Sequence, residues 1–248
     1  MRPARLAAMT LGLAAGLAAR SVPARAQEGG VGVTSHWVRN HVAREVPPLG
    51  YAKRDLLDGT MLGVAGRFSY GRLRLVAEYV SGTLGGTTYA GTAGSLKTER
   101  AVRDTELGAR VRLFGWLALG YEAHARHLAL SVSDTAAGAA TWRLSGPSAA
   151  LLATLGRPDL QAEVGYTHFV SRRTVGSAAI TGALRTVAQV TWRSARRPIQ
   201  VALAYHFERL DHGREGEDFQ GGRVSVSYLF GGLHRQRGAG TSRDSRLE

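Results

Sequence analysis

The sequence predicts an all-β protein: a closed, antiparallel, up-and-down transmembrane β-barrel of ten strands, with eight or twelve strands as alternatives. Three observations predict this fold. Apolar and polar residues alternate with period two over ten segments. The connections between the segments are short and long in turn. Large aromatic residues collect near the segment ends. After the first 26 residues, no uninterrupted apolar run approaches the ~18 residues of a membrane-spanning helix.

The first 26 residues are predicted to be a cleaved secretory signal peptide. Arg2 and Arg5 form a basic n-region, residues 6–19 are largely apolar, and Ala24-Arg25-Ala26 supplies a small-residue cleavage site. The segment holds four arginines and no acid, so its removal lowers the formal net charge from +13 to +9. The chain has no cysteine, which excludes a disulfide framework and a thiolate metal site.

Ten segments are predicted as strands because alternate residues are apolar. The alternation is clear in eight of them and weaker in the other two. Pro147, in the second weak segment, predicts a bulge or an edge-like irregularity. The clear segments are 62–70, 73–80, 106–113, 117–124, 160–167, 184–193, 199–208 and 223–230, and the weaker ones are 31–41 and 141–154.

The connections predict two different ends for the barrel. Tight turns are expected at Gly71-Arg72, near Gly115, at 156–159 and at 194–197. Short turns on one side and long loops on the other are typical of a transmembrane barrel. An even number of strands places both chain ends on the short-turn side. The long polar stretches predicted as loops are 42–60, 82–104, 128–140, 171–181 and 209–221.

The aromatic residues predict two girdles, because amphipathic rings prefer the two interfaces of a membrane. One group lies beside the short turns or at the end of the last strand, and the other lies near the opposite strand ends. The first group is Tyr70, Phe114, Trp116, Trp192, Tyr228 and Phe230, and the second is Trp37, Tyr79, Trp142, Tyr205 and Phe207.

The polar row of each strand is predicted to face the lumen and the apolar row to face lipid. Charges buried in an apolar core cost several kcal/mol for each unpaired ion, whereas in a polar lumen they can pair. A ten-stranded barrel is narrow, which favours an ionic lattice over a conduction path. If a path exists, the excess of arginine favours anions. The predicted lumen residues are Arg67, Arg74, Glu78, Glu106, Arg110, Arg112, Glu122, His124, Arg126, Glu163, Arg185, Gln189, His206, Glu208 and Arg223.

Residues 27–230 resemble a small bacterial outer-membrane β-barrel of the ten-stranded type. The alternate residues Val224, Val226, Tyr228 and Phe230 resemble the terminal strand signal that the barrel-assembly machinery reads. The resemblance implies a monomer in a Gram-negative outer membrane, short turns in the periplasm, and membrane lipid and lipopolysaccharide as partners. The terminal aromatic residue usually ends the chain in that family. Here residues 231–248 follow it and are expected to form a basic, flexible tail.

Few residues suggest chemistry. Asp211-His212 combines the residue types of an Asp-oriented general base and resembles half of the catalytic set of the omptins, ten-stranded outer-membrane proteases. The paired aspartates that complete the set in that family have no counterpart here, and a solvated hairpin tip is the competing interpretation. The run 168–171 contains the His and Ser used by lipid-A-modifying barrels but matches no motif. No spacing indicates a metal site, and no cofactor is expected.

The sequence therefore predicts a structural, surface-interaction or narrow-channel role without catalysis. Two alternatives stay open: a passive, porin-like channel for small anionic solutes, and an omptin-like protease or lipid-A-modifying enzyme. Arg126, Arg172 and Arg173 are expected at the outer rim, where guanidinium groups would contact lipopolysaccharide phosphates. The export signal and the scattered arginines argue against binding of nucleic acid.

Overall fold

The computed structural model describes residues 27–46, 50–89, 95–133, 135–213 and 215–231, which form a closed antiparallel barrel. The predicted signal peptide and residues 232–248 of the predicted tail lie outside the described residues. Within the described ranges, no helix is long and apolar enough to cross a bilayer.

The strands follow one another around the wall. They are β1 (Glu28–Val46), β2 (Gly50–Tyr70), β3 (Leu73–Tyr89), β4 (Ser95–Arg112), β5 (Leu117–Val132), β6 (Thr135–Thr154), β7 (Leu160–His168), β8 (Ser171–Val175), β9 (Gly182–Arg193), β10 (Ile199–His212) and β11 (Glu215–Phe230).

The barrel closes where the first strand pairs with the last. Strands β1 and β11 are antiparallel from the pair Gly29 and Phe230 to the pair Arg44 and Glu215. Strands β7 and β8 both pair with β6, at successive positions, and are two parts of one wall strand. The wall therefore has ten strands in up-and-down order, and the predicted fold class is confirmed.

The wall is irregular between β7 and β8. Phe169 and Val170 separate the two strands, opposite Gly146 and Pro147 of β6, which is the irregularity that Pro147 predicted. The chain presses so closely here that a Cβ at Gly146 would strike the carbonyl oxygen of His168. Beyond this break β9 pairs with β7 and β10, and within the described residues β8 pairs with β6 alone.

The strands are longer than the sequence predicted. Most described residues of the five stretches predicted as loops continue the strands, so that β2 already begins at Gly50 and β3 ends only at Tyr89. The reason lies in the side-chain pattern. In these extensions the buried row becomes apolar, as at Leu57 and Leu84, and the exposed row becomes polar, as at Thr83. The phase of the alternation reverses, which hides the strands from a search for one continuous pattern.

An apolar band surrounds the barrel from the short turns to about the middle of the strands. On β10 the outward row runs through Val201, Leu203, Tyr205 and Phe207 before its first charge, Arg209. This order recurs around the wall, and large exposed apolar side chains dominate the band. Such a band is suited to lipid, because a closed barrel satisfies its own backbone hydrogen bonds.

Candidate functional site

The candidate functional residues are the charged side chains inside the barrel, which form successive layers. We call the side of the short turns the inner end and the opposite side the outer end. At the inner end Glu28 accepts hydrogen bonds from Arg67 at 3.0 Å and from Arg193 at 2.6 and 2.9 Å. Arg67 also donates to Gln200. The first layer thus ties β1, β2, β9 and β10 together across the inner mouth.

The next layers toward the outer end pair each arginine with a carboxylate. Arg110 lies between Glu122 and Glu163, and Arg74 donates to Glu163 at 3.1 Å. Further along, Glu78 accepts a hydrogen bond from Arg223 at 2.7 Å and contacts the Nε2 of His36 at 2.7 Å. Arg223 also donates to Gln189 at 2.8 Å. In the same layer Arg185 donates to Glu106 at 2.6 Å.

A buried quartet forms the fourth layer: Asp104, His124, Arg126 and Glu208. Arg126 donates to Glu208 at 2.8 Å and to Asp104 at 2.8 and 3.2 Å. His124 lies between the same two carboxylates, against Asp104 on one side and with its Nδ1 at 3.3 Å from Glu208 on the other. Two basic side chains thus face two carboxylates, and all four are at most 11% exposed. This balance allows a charged cluster to be buried.

An apolar layer closes the lumen on the outer side of the quartet. Phe169 and Phe219 are 0% and 2% exposed, and the Arg126 guanidinium lies 4.0 Å from the ring centre of Phe219. The sequence pattern did not predict this layer, because it indicated a polar row along the whole interior. The layer is formed by Val38, Leu57, Met61, Val80, Leu84, Val102, Leu128, Trp142, Leu144, Phe169, Ile180, Ala183, Leu210 and Phe219.

A second polar cluster lies inside the outer mouth of the barrel, beyond the apolar layer. Asn40 donates to Glu217 at 3.0 Å, and Arg100 donates to Asn40 at 2.8 Å and to Glu217. The Nε2 of His212 is 3.6 Å from Glu217. Burial alone would raise the pKa of Glu217, but His212, Arg100 and Asn40 lower it. Burial alone would lower the pKa of His212, but Glu217 and the carbonyl of Ala178 raise it.

The segment 176–181 folds over this mouth. Ile180 is buried in the apolar layer, and Trp142 Nε1 donates to Ser177 at 2.9 Å. His212 Nδ1 donates to the Ala178 carbonyl at 3.4 Å, and the Thr181 backbone N–H donates to the Asp211 carbonyl at 2.7 Å. We call this segment the cap.

The structure separates the predicted pair Asp211 and His212. They are successive residues of β10, so their side chains lie on opposite faces of the wall. Asp211 lies on the outer face beside Arg209, at 3.2 Å, whereas His212 faces the lumen beside Glu217. The interpretation of Asp211 as the residue that orients His212 is therefore wrong. The two residues end β10 and pair with Gly216 and Glu215 of β11, so they lie at a hairpin tip as the competing interpretation predicted, with the Asp211 side chain half-exposed and the His212 side chain buried.

Three other predicted placements are wrong. Trp142 does not belong to the outer girdle, because it faces inward and is 3% exposed, against His212 and Phe219. Arg126 is not at the outer rim but in the buried quartet. Arg112 continues the lumen-facing row of β4, but it is the last residue at the strand's inner end and is exposed. The other fourteen predicted lumen residues are buried or half-buried.

The other predicted girdle residues lie on the outside of the barrel, where Phe207 is half-buried and the rest are exposed. Of the arginines expected at the rim, Arg173 lies exposed on the outer face, and Arg172 is half-buried. Of the run 168–171, His168 and Ser171 are exposed but do not contact each other through any described hydrogen bond.

Little space is left inside. A cavity of about 30 Å³ lies beside the quartet, between Glu106, Arg185, His206 and Phe219. This volume holds a few water molecules at most. Among the described residues, no three His, Asp or Glu side chains are arranged to hold a metal ion. Within the described residues, the lumen therefore holds ion pairs that stabilise the wall, and the apolar layer fills its outer part.

Comparison with known proteins gives a likeness in fold. No protein-family model matches the chain, and no curated protein matches it. The outer membrane protease OmpT from Escherichia coli superimposes with a TM-score of 0.51 at 8% identity, covering 85% of this chain and 99% of that one. The β domain of the Bordetella autotransporter BrkA gives 0.45 at 16% identity, covering 81% and 98%. Ail of Yersinia pestis, in complex with a heparin analogue, gives 0.38 at 10%, covering 82% and 99%. The fold is that of the outer-membrane β-barrels.

Proposed function

We propose that this protein is a monomeric outer-membrane β-barrel with a structural and surface-interaction role, and that it neither conducts ions steadily nor catalyses a reaction. The observation that carries the proposal is the filled lumen. Ion-paired layers and an apolar layer follow one another along the axis and leave a cavity of about 30 Å³. Export through a cleaved signal peptide and insertion by the barrel-assembly machinery are parts of the same proposal.

The arginines that suggested an anion channel are neutralised by neighbouring carboxylates. Arg110 has Glu122 and Glu163 as partners, and Arg185 has Glu106. An anion entering the lumen would have to displace these carboxylates and then cross the apolar layer, at a high desolvation cost. The geometry therefore favours a lattice that braces the wall over a path for solutes.

Planar-bilayer recordings test this proposal directly. The wild-type barrel and Arg157→Glu, a control at an exposed turn, are expected to give no steady single-channel steps. Steady steps from the wild type, with an anion preference that Arg110→Glu reverses and Arg157→Glu retains, would show that the lumen conducts. Insertion is checked independently by flotation of the vesicles and by the heat-dependent gel mobility of the folded barrel.

An assay of catalysis addresses the enzyme alternative. OmpT is a protease, but in this chain Asp211 and His212 do not face the same side of the wall. We expect neither peptidase nor lipid-A-modifying activity from the purified barrel. Activity that is abolished by His212→Ala, in a variant with unchanged heat-dependent mobility, would contradict the proposal.

A further inference from the structure

Four basic residues lie together on the outer face of the wall, just beyond the apolar band: Arg103 on β4, His127 on β5, Arg143 on β6 and Arg173 on β8. All four are exposed. We call them the basic patch. Between the short turns and the patch, the described outward rows of β4, β5 and β6 contain no charged residue. The patch is thus the first charge that these strands present beyond the apolar band.

Within the basic patch, basic residues face each other across the strands. Arg103 pairs in register with His127, and Arg143 pairs with Arg173. Like charges directly opposite each other destabilise a sheet. Among the described residues, the acid on the outer face of these strands is Glu99, which is 3.1 Å from Lys97. His127 does have a neutral partner, the Thr141 hydroxyl, at 3.0 Å.

The opposite side of the barrel provides an internal comparison. At the same position beyond the apolar band, Arg39 pairs in register with Asp58, and Arg209 pairs with Asp218. Arg209 also contacts Asp211 at 3.2 Å. Each of these arginines faces an acid of the protein itself. The basic patch is therefore a local excess of positive charge on one side.

We propose that the basic patch binds the phosphate groups of a phosphorylated glycolipid, the lipid A type, in the outer leaflet. Guanidinium groups bind phosphate oxygens in bidentate geometry, and two adjacent arginines supply the charge that one phosphate requires. The patch lies where the apolar band ends, which is the level of lipid headgroups. The bound phosphate offsets the repulsion between Arg143 and Arg173. This inference rests on the proposed outer-membrane location.

The test compares two double variants of the full-length barrel in detergent micelles. Arg143→Gln/Arg173→Gln removes the charge of the patch, and Arg39→Gln/Arg209→Gln removes the same charge from the balanced side. Native mass spectrometry measures binding of bisphosphorylated lipid A, dephosphorylated lipid A and phosphatidylglycerol. We expect the first variant to bind bisphosphorylated lipid A at least about tenfold more weakly than wild type, because it lacks two groups that donate charge-assisted hydrogen bonds. The control variant should bind as wild type does.

Three outcomes would overturn the inference: equal weakening in both variants, equal binding of dephosphorylated lipid A, or equal binding of phosphatidylglycerol. The patch variant should fold, because it removes repulsion between exposed side chains. Its thermal unfolding temperature without lipid should equal or exceed that of wild type, and a lower value would show a structural role instead. If the double variant does not fold, Arg173→Gln alone serves. Conductance of the same samples reports on the proposed function separately.

Discussion

At the scale of single residues, charge balance in the buried quartet decides the stability of the lumen. Arg126 is the shared partner of Asp104 and Glu208, with hydrogen bonds of 2.8 Å to each. If its guanidinium is removed, His124 alone must compensate two buried carboxylates. A buried ion without its partner costs much more than an exposed one, because no water replaces the lost contacts.

Replacing this arginine with an apolar side chain of similar length should therefore be costly. We expect Arg126→Met to lower the free energy of unfolding by about 3–5 kcal/mol. The matched control is Arg157→Met, which removes an exposed arginine 3.1 Å from Asp159 and should cost about 1 kcal/mol or less. Guanidinium unfolding in micelles measures both. Equal losses of unfolding free energy in the two variants would show that Arg126 does not compensate the buried carboxylates of the quartet.

At the scale of elements, the sequence predicted the lipid-facing half of each strand but not the outer half. The alternation from Leu203 to Phe207 is continuous and has one phase. Toward the outer end the phase reverses: Leu57 and Phe219 face inward and polar residues face outward, as in a water-soluble barrel. For the same reason a single phase predicts Trp142 in the outer girdle, whereas the structure places it inside the barrel. The change of phase within each strand is therefore the signal that indicates these outer halves.

The cap should respond to pH through His212. Glu217 keeps its negative charge because its pKa is lowered, and the pKa of His212 is raised. A raised histidine pKa stabilises the folded form fully below the unfolded value of about 6.5, and this stabilisation is lost as the pH rises through the folded value. The contacts of His212 with Glu217 and with the cap should therefore weaken on the alkaline side.

Hydrogen exchange measures this effect. After correction for intrinsic rates, the amides of 178–181 should exchange faster at pH 9 than at pH 6. In His212→Gln this pH dependence should disappear, whereas in His127→Gln, a change on the outer face of another strand, it should persist. An unchanged profile in His212→Gln would assign the response to a different group.

At the scale of the whole molecule, the fold was predictable because closure imposes strict rules. Lipid outside requires an apolar outer row, and pairing without free edges requires an even set of antiparallel strands. These rules leave a strong trace in the sequence. The ion pairs that fill the lumen are harder to predict from the sequence, because partners such as Arg126 and Glu208 are 82 positions apart. Spacing alone could list the charged residues but could not pair them.

Closure can be tested by cross-linking, since the chain contains no cysteine of its own. Val33 of β1 and Val226 of β11 are directly opposite each other and exposed on the apolar band. Cysteines at both positions should form a disulfide that changes mobility in a non-reducing gel, because opposite residues of antiparallel strands lie within disulfide reach. The control pair, Val33→Cys with Leu203→Cys, lies on strands that are not adjacent and should remain reduced. A bridge in the control alone would refute the register.

The one-sided pairing of β8 has a mechanical consequence. Among the residues that the structure describes, Ser171–Val175 pairs with β6 alone, whereas each of the other strands pairs on both flanks. Under heat or pulling force, unfolding should start at β8 and then spread along the wall in both directions. The stability of the wall is therefore not uniform, and β8 is the strand expected to unfold first.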